Sequence, residues 1–300
     1  MKTKILILGS DGYIGCRVYE HLILQGLDVI GVDTGWFGIV NDKTVLCDYN
    51  TLTKSFIEQF THIICLSSHS SVSMCSNNNV SCLNNNVVNF INLLEKINDT
   101  QKLIYASSLA IYGNNPNLVT EKDDLPNPVD MYDYSLVSRE FLIRLYNKNT
   151  IGLRFGTVGG FSKNFRGENL INSLSYNSII NKKITISNPN AYRAVLGMTD
   201  LCKAIDNVVK SDICGNKIYN LSSVNNTIIG FGEEIQKLTN SELVVNNTFQ
   251  TKYSFRSSSE LFSNDFNFKF NDSIESIFNE IKNNIDQIKF KVERNKINYV

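Results

Sequence analysis

The fold of this chain is decided near its start by residues 5–15, which read ILILGSDGYIG. The apolar run is too short for a helix and predicts a buried strand, which leads directly into a turn with glycine at positions 9, 12 and 15. Such a turn lets the backbone approach a pyrophosphate at the N-terminus of the following helix. The stretch therefore predicts a dinucleotide site with contacts from Gly9, Asp11, Gly12, Tyr13, Ile14 and Gly15.

The second predicted strand ends at Asp33, eighteen residues after Gly15. An acidic residue at this place in a βαβ unit accepts hydrogen bonds from the adenosine ribose hydroxyls. The next basic residue is Lys43, so no cation is ready to meet a 2′-phosphate. These features predict NAD rather than NADP. The Asp11 carboxylate is unfavourable beside phosphates unless it points away from them.

Apolar runs alternate with amphipathic stretches through the first half of the chain, which is typical of a parallel sheet with helices on both faces. The predicted strands are Ile5–Leu8, Val29–Val32, Val45–Leu46, Ile63–Leu66, Leu103–Ala106 and Thr150–Phe155. The predicted helices are Ile14–Gln25, Leu83–Ile97, Tyr132–Tyr146, Asn169–Ile180, Asp200–Lys210, Ile229–Leu238 and Ile274–Ile288.

The predicted fold class is α/β, a doubly wound parallel sheet of the Rossmann type with a smaller mixed α/β C-terminal substrate-binding region. Residues 1–160 and 192–222 are assigned to the dinucleotide-binding domain. Residues 161–191 and 223–300 are assigned to the substrate-binding region.

Composition excludes several classes of protein. The 29 Lys and Arg balance the 29 Asp and Glu, which argues against a nucleic-acid-binding or membrane-surface protein. No apolar run approaches the ~20 residues that span a bilayer. The seven cysteines form no Cys-x-x-Cys pair and have no histidine cluster beside them, so we expect neither a metal site nor a disulfide framework. A reduced, cytoplasmic, soluble protein is expected.

Three later segments carry a resemblance to a known family. Residues 105–113 read YASSLAIYG, residues 132–136 read YDYSL, and residues 192–201 read YRAVLGMTDL. With the N-terminal glycine turn, they resemble the extended short-chain dehydrogenase/reductase family, which contains the nucleotide-sugar epimerases and dehydratases. The resemblance implies an NAD-dependent enzyme that acts at C4 of a nucleotide-linked sugar.

The resemblance also implies roles for individual residues. Ser108 and Tyr132 are the implied catalytic pair, with Tyr132 also close to the cofactor. The further cofactor contacts that it implies are Asp48, Leu66, Ser67, Ser68 and Asn86. The implied substrate contacts, besides Ser108, are Thr157, Asn169, Asn172, Arg193 and Arg256.

The family's Tyr-x-x-x-Lys signature is incomplete here, because Leu136 stands four residues after Tyr132. The alternative register starting at Tyr134 places Ser138 there, so neither register supplies a lysine. Holding an ordinary tyrosine as phenolate at pH 7 costs about 4 kcal/mol, and the family's lysine normally reduces that cost. Arg139 is one candidate for a replacement cation.

Three functions remain open at this stage. The chain is an epimerase or dehydratase, a keto-sugar reductase of the same family, or a catalytically impaired protein that binds NAD and a nucleotide sugar. The resemblance further implies a homodimer in which the helices around Leu83–Ile97 and Tyr132–Tyr146 pair across a two-fold axis.

Overall fold

Strands and helices alternate through most of the chain in the computed structural model, which describes residues 2–122, 126–246 and 251–288. The strands of this part, β1 to β14, are Lys4–Leu8, Asp28–Asp33, Thr44–Leu46, His62–Cys65, Lys102–Ser108, Asn114–Val119, Asn149–Phe155, Thr157–Gly159, Lys183–Ser187, Tyr192–Gly197, Asn216–Leu221, Val224–Thr227, Glu242–Asn246 and Ser254–Ser257. The α-helices, α1 to α11, are Tyr13–Leu24, Lys54–Ile57, Val72–Asn77, Asn79–Leu83, Asn89–Lys96, Met131–Leu142, Leu170–Ile180, Met198–Lys210, Ile228–Thr239, Glu260–Phe266 and Ile274–Asn283.

A seven-stranded sheet forms the centre, in the order β11-β7-β5-β4-β1-β2-β3, and every neighbouring pair is parallel. Along β1, Ile5 and Ile7 pack into one apolar cluster while Leu6 and Leu8 pack into another. Both faces of the sheet are therefore covered, which explains the unbroken apolar run. The predicted Rossmann-type fold is confirmed. The chain winds outward in both directions from β1 and β4, and ligands of such sheets bind at this switch point.

The helix expected over residues 83–97 starts earlier and is not regular. Helix α4 begins at Asn79, a π-helical segment covers Asn84–Val88, and α5 continues to Lys96. The wider turn of a π segment inserts one extra residue. Here the segment carries the buried side chain of Asn86. Apolar periodicity located this helix but gave no sign of the irregular turn.

The sequence did not predict the smaller sheets. Strands β12, β10 and β8 form one of them, β13 pairs with β9, and β14 pairs with β6. These strands carry Thr157, Arg193 and Arg256. The division of the chain into two functional regions stays a prediction, and residues 289–300 of the second region lie outside the described residues. Within the described residues, no helix has the length and apolarity needed to cross a membrane.

Candidate functional site

The turn after β1 has the geometry of a phosphate-binding loop. Gly9 has a φ of +83°, and a Cβ on Gly15 would lie 1.9 Å from the Gly9 carbonyl oxygen, so both positions require glycine. A Cβ on Gly12 would meet only ordinary contacts, the nearest at 3.4 Å. Gly12 lines the cavity, and its lack of a side chain leaves space there for a ligand. It is also the residue before α1, and no side chain caps the start of this helix. Backbone N–H groups at this helix start suit an anionic ligand.

A cavity of about 660 Å³ opens in front of this turn, a size typical of small-molecule sites. The turn contributes the predicted residues Gly9, Gly12, Tyr13, Ile14 and Gly15. The ends of the following strands contribute the predicted residues Asp33, Asp48, Leu66, Ser67 and Ser68. The structure therefore brings ten of the predicted cofactor residues to one cavity, and their donors and shape fit a dinucleotide.

Asp33 is held in a fixed orientation at the end of β2. Its Oδ2 accepts a hydrogen bond from the Asp11 backbone N–H at 3.0 Å, and its Oδ1 accepts one from the Gly35 N–H at 2.7 Å. Burial raises the pKa of this carboxyl, and the two N–H groups oppose that shift. Arg166 is the only Lys or Arg among the described residues that line the cavity. The surroundings of Asp33 therefore suit ribose hydroxyls better than a 2′-phosphate.

Two residues predicted to bind the cofactor are buried behind the cavity wall instead. The Asp11 carboxylate accepts hydrogen bonds from Thr44 Oγ1 at 2.6 Å and from the Val40 N–H at 2.6 Å. Asn86 accepts from the His69 N–H at 2.7 Å and donates to Ser135 Oγ at 2.9 Å. Both predictions are corrected on this point, because these side chains hold neighbouring loops in place rather than facing the cavity.

The predicted catalytic pair is brought together. The Ser108 side chain lies near the Tyr132 hydroxyl and lowers its pKa, but burial outweighs this effect and raises the pKa of Tyr132 to about 12. Tyr134, the start of the alternative register, is 55% exposed. The structure therefore favours the register that begins at Tyr132. Leu136 is 2% exposed and packs in an apolar cluster with Leu109 and other side chains.

Arg139 does not supply the missing cation. Its guanidinium lies over the ring of Phe90, 4.2 Å from the centroid, and the residue is 2% exposed. The neighbouring Glu140 forms a buried ion pair with Arg154, with Nη2–Oε2 at 2.7 Å and Nε–Oε1 at 3.0 Å. Ser107 Oγ also donates to Glu140, at 2.6 Å. The charged groups of Arg139 and Glu140 therefore interact with buried residues and not with the cavity.

Arg166 is a cation on the cavity wall that no sequence motif predicts. Its positive charge lowers the pKa of Tyr132 and is the largest influence that opposes burial. The guanidinium donates to Ser70 Oγ at 3.1 Å and pairs with Glu168 at 2.8 Å. It lies on the irregular segment between β8 and α7, 34 residues from Tyr132 and within no motif. Local sequence therefore gave no signal for it.

The predicted substrate residues have partners within the protein. Asn172 is fully buried and binds Tyr13, Gly160 and Arg166, which corrects its assignment to the substrate diphosphate. Asn169 Nδ2 donates to the Val158 carbonyl at 2.9 Å.

The two predicted arginines lie on neighbouring small sheets. Arg193 donates to the Tyr253 carbonyl and to Thr251 Oγ1, and burial lowers its pKa to about 10. Arg256 donates to the Pro116 carbonyl at 3.0 Å and lies over the Tyr192 ring. With Thr157 on β8, these two residues remain predicted substrate contacts.

Comparison with known proteins agrees with this geometry. A sequence model described as the NAD dependent epimerase/dehydratase family matches residues 5–222. Protein CapI of Staphylococcus aureus is 32% identical over 182 residues, which are 52% of this chain and 54% of CapI. UDP-glucuronate 4-epimerase 4 of Arabidopsis thaliana is 29% identical over 185 residues, 52% of this chain and 42% of the relative. The chain thus spans about half the length of these curated relatives.

The fold is also found among solved structures. UDP-glucuronic acid 4-epimerase from Bacillus cereus, solved in complex with UDP-glucuronic acid and NAD, superposes with a TM-score of 0.81 at 18% identity. The alignment covers 94% of this chain and 99% of that one.

Proposed function

Because the chain belongs to the NAD dependent epimerase/dehydratase family, we propose that it binds NAD in the 660 Å³ cavity and oxidises C4 of a nucleotide-linked hexose. The observation that carries the proposal is the cavity lined by the phosphate-binding turn, Asp33 and Arg166, with Ser108 and Arg166 both close enough to Tyr132 to lower its pKa. UDP-hexoses and UDP-hexuronates are the first substrates to test, since UDP-glucuronate epimerases are among the relatives.

The dinucleotide would lie with its phosphates at Gly9–Gly15 and a ribose at Asp33. Once bound, NAD supplies the hydride acceptor and donor for the sugar carbon. Tyr132 takes the proton of the sugar hydroxyl as base and returns it as acid. Ser108 orients the same oxygen through a second hydrogen bond. In an epimerase, the hydride would return to the other face of the same sugar carbon, so there would be no net oxidation of sugar or cofactor.

Arg166 is proposed to supply part of the electrostatic help that a lysine gives in related sites. A fixed positive charge near a phenol favours its ionised form. Leu136 leaves no cation on the helix turn that follows Tyr132, and Arg139 is committed to the core. Arg166 comes from a different segment of the chain, and the lowering of the Tyr132 pKa by its charge supports this role.

Replacing Arg166 with glutamine should raise the pKa of Tyr132, because a positive charge that favours the phenolate is lost. The proton-abstracting form then becomes rarer at any pH below that pKa. We expect a rate loss of about tenfold, since one pKa unit corresponds to tenfold, and a pH–rate profile displaced to higher pH. The matched control is Lys163→Gln, because the Lys163 side chain is 52% exposed and its ammonium pairs with Glu20. Equal profiles for Arg166→Gln and wild type would contradict this role.

Replacing Asp33 with asparagine should weaken NAD binding about 10–100-fold, since a hydrogen bond to a charged group contributes about 1.5–3 kcal/mol. Discrimination against NADP should fall as well, because the repulsive carboxylate is gone. Isothermal calorimetry with both dinucleotides measures the two effects. Asp42→Asn, an exposed position nearby, is the control. Unchanged affinity in Asp33→Asn would remove Asp33 from the ribose site.

The central experiment incubates the purified chain with NAD and a panel of UDP-, GDP- and dTDP-sugars. An epimer or dehydrated product supports the proposal. A protein that reduces added 4-keto sugars with NADH, but forms no product from ordinary nucleotide sugars, is instead the keto-sugar reductase. Tight NAD binding without turnover would indicate the impaired binding protein, which Leu136 favours. Absence of NAD binding would refute all three.

We further propose a homodimer formed by α4 to α6. Apolar side chains are exposed along this part of the chain: Leu83 on α4, Val88 in the π-helical segment, Tyr134 and Phe141 on α6, and Leu145 just beyond it. Exposed apolar groups gathered in this way are typical of an interface. Phe141→Asp should halve the mass measured by light scattering. Leu24→Asp, at a residue that is 83% exposed on α1, should leave it unchanged. A monomeric wild type would refute the dimer.

A further inference from the structure

We propose that His69, Cys75 and Cys82 form a binding site for a single zinc ion beside the cofactor cavity. One imidazole nitrogen and the two sulfur atoms all lie within 4.8 Å of one another. His69 follows β4, Cys75 lies on α3 and Cys82 on α4. Spacings of six and seven residues match no metal motif, which is why the sequence did not predict this cluster.

The three side chains have the right chemistry for zinc. Thiolates and imidazole are preferred ligands of Zn²⁺, whereas Mg²⁺ and Ca²⁺ need oxygen ligands that this set lacks. Tetrahedral zinc, with bonds of about 2.3 Å to sulfur and 2.0–2.1 Å to nitrogen, requires ligand atoms roughly 3.5–3.8 Å apart. The atoms observed within 4.8 Å therefore need to move closer by no more than about 1.3 Å. A change of that size is within the reach of side-chain rotation.

Asn86 supports the cluster from behind. Its Nδ2 lies within hydrogen-bond reach of both sulfur atoms, 3.9 Å from Cys75 and 3.8 Å from Cys82. The same residue binds the backbone N–H and carbonyl of His69 at 2.7 and 3.1 Å. Hydrogen-bonded partners of this kind orient metal ligands and raise affinity for the ion. The buried Asn86 of the π-helical segment would therefore orient the metal ligands, in addition to its contact with Ser135.

The ion has a route into the site. The cysteines are fully buried and His69 is 1% exposed, but His69 also lines the cofactor cavity. Three protein ligands leave one position of a tetrahedral ion, which a water molecule from the cavity would fill.

A disulfide between Cys75 and Cys82 is the main alternative occupant of this geometry. Redox-active cysteines are typically exposed, since an oxidant must reach the sulfur, and here neither sulfur-bearing residue has exposed surface. A disulfide would also not explain why the His69 imidazole lies close to both sulfur atoms. The observations therefore favour the metal ion.

The test uses the full chain, stripped with a chelator and then titrated with Zn²⁺ or Co²⁺ alone. We expect one equivalent of metal per chain and, with Co²⁺, the thiolate charge-transfer band and intense visible bands of a tetrahedral site. Cys75→Ser and Cys82→Ser should each weaken metal binding at least 100-fold. The matched control is Cys202→Ser, which changes another buried thiol outside the cluster and should bind metal like wild type.

A second measurement needs no variant and so covers the case in which a serine variant fails to fold. Bound Zn²⁺ should slow alkylation of Cys75 and Cys82 in the wild type, mapped by mass spectrometry, while the exposed Cys214 reacts at its usual rate. The proposal is overturned if Zn²⁺ does not bind, if its binding leaves these two alkylation rates unchanged, or if the freshly purified chain contains a Cys75–Cys82 disulfide. None of these readouts involves NAD or sugar, so they are independent of the proposed activity.

Discussion

Replacing Tyr132 with phenylalanine is expected to lower kcat/KM by ~10²–10⁴-fold, the usual contribution of a positioned acid–base group. The substitution removes only the hydroxyl, whose pKa the neighbouring Ser108 side chain lowers. The ring remains to fill its place next to the apolar cluster around Leu136. NAD affinity should therefore stay within about twofold of wild type, because the phosphate turn and Asp33 are untouched. Product formation from the active nucleotide sugar is the measurement.

The chain provides its own control two residues away. Tyr134 lies on the same helix but is 55% exposed, so Tyr134→Phe should leave kcat/KM unchanged. A Tyr132→Phe variant with wild-type activity would assign the proton transfer to another group. A large loss in Tyr134→Phe instead would show that the alternative register of the motif is the working one.

The second large effect concerns stability. Glu140→Ala should reduce the free energy of unfolding by about 3–5 kcal/mol, because it leaves Arg154 as a buried charge without its carboxylate. Both side chains of the pair are only 5% exposed. Urea denaturation followed by circular dichroism measures the change.

Glu58→Ala is the matched control for this substitution. Glu58 faces Lys54 at 4.0 Å on an exposed helix surface, and pairs of this type contribute about 0.5 kcal/mol or less. A loss below about 1 kcal/mol in Glu140→Ala would contradict the importance of the buried pair.

The sheet and the cofactor cavity could be predicted because their signals are local. The residues from Ile5 to Leu8 are all apolar because both faces of the strand are buried, and this signal is visible within four consecutive residues. The glycines at 9 and 15 are required by a turn within the same few residues. The role of Asp33 could be predicted from its distance to the glycine turn within one βαβ unit. Each of these features depends on residues that are close together in the chain.

The remaining features depend on contacts between distant parts of the chain. Strand β6, Asn114–Val119, contains three asparagines and a proline, so its intrinsic strand propensity is poor. The segment is extended because it pairs with β14, which is distant in the chain. Arg166 and the trio of His69, Cys75 and Cys82 converge only after folding. The resemblance alone assigns Asn172 to the ligand, whereas its side chain donates to Tyr13, which lies 159 residues away in the chain.

That contact has a mechanical consequence. The Tyr13 hydroxyl donates to the Gly160 carbonyl at 2.8 Å, and Asn172 on α7 joins both residues at 2.9 Å. Tyr13 is the first residue of α1 and also forms part of the cavity wall. The start of α1 and helix α7 are thus fastened together, so neither can shift without straining a closed ring of three hydrogen bonds. A ligand that binds against the start of α1 is therefore expected to restrict the movement of α7 as well.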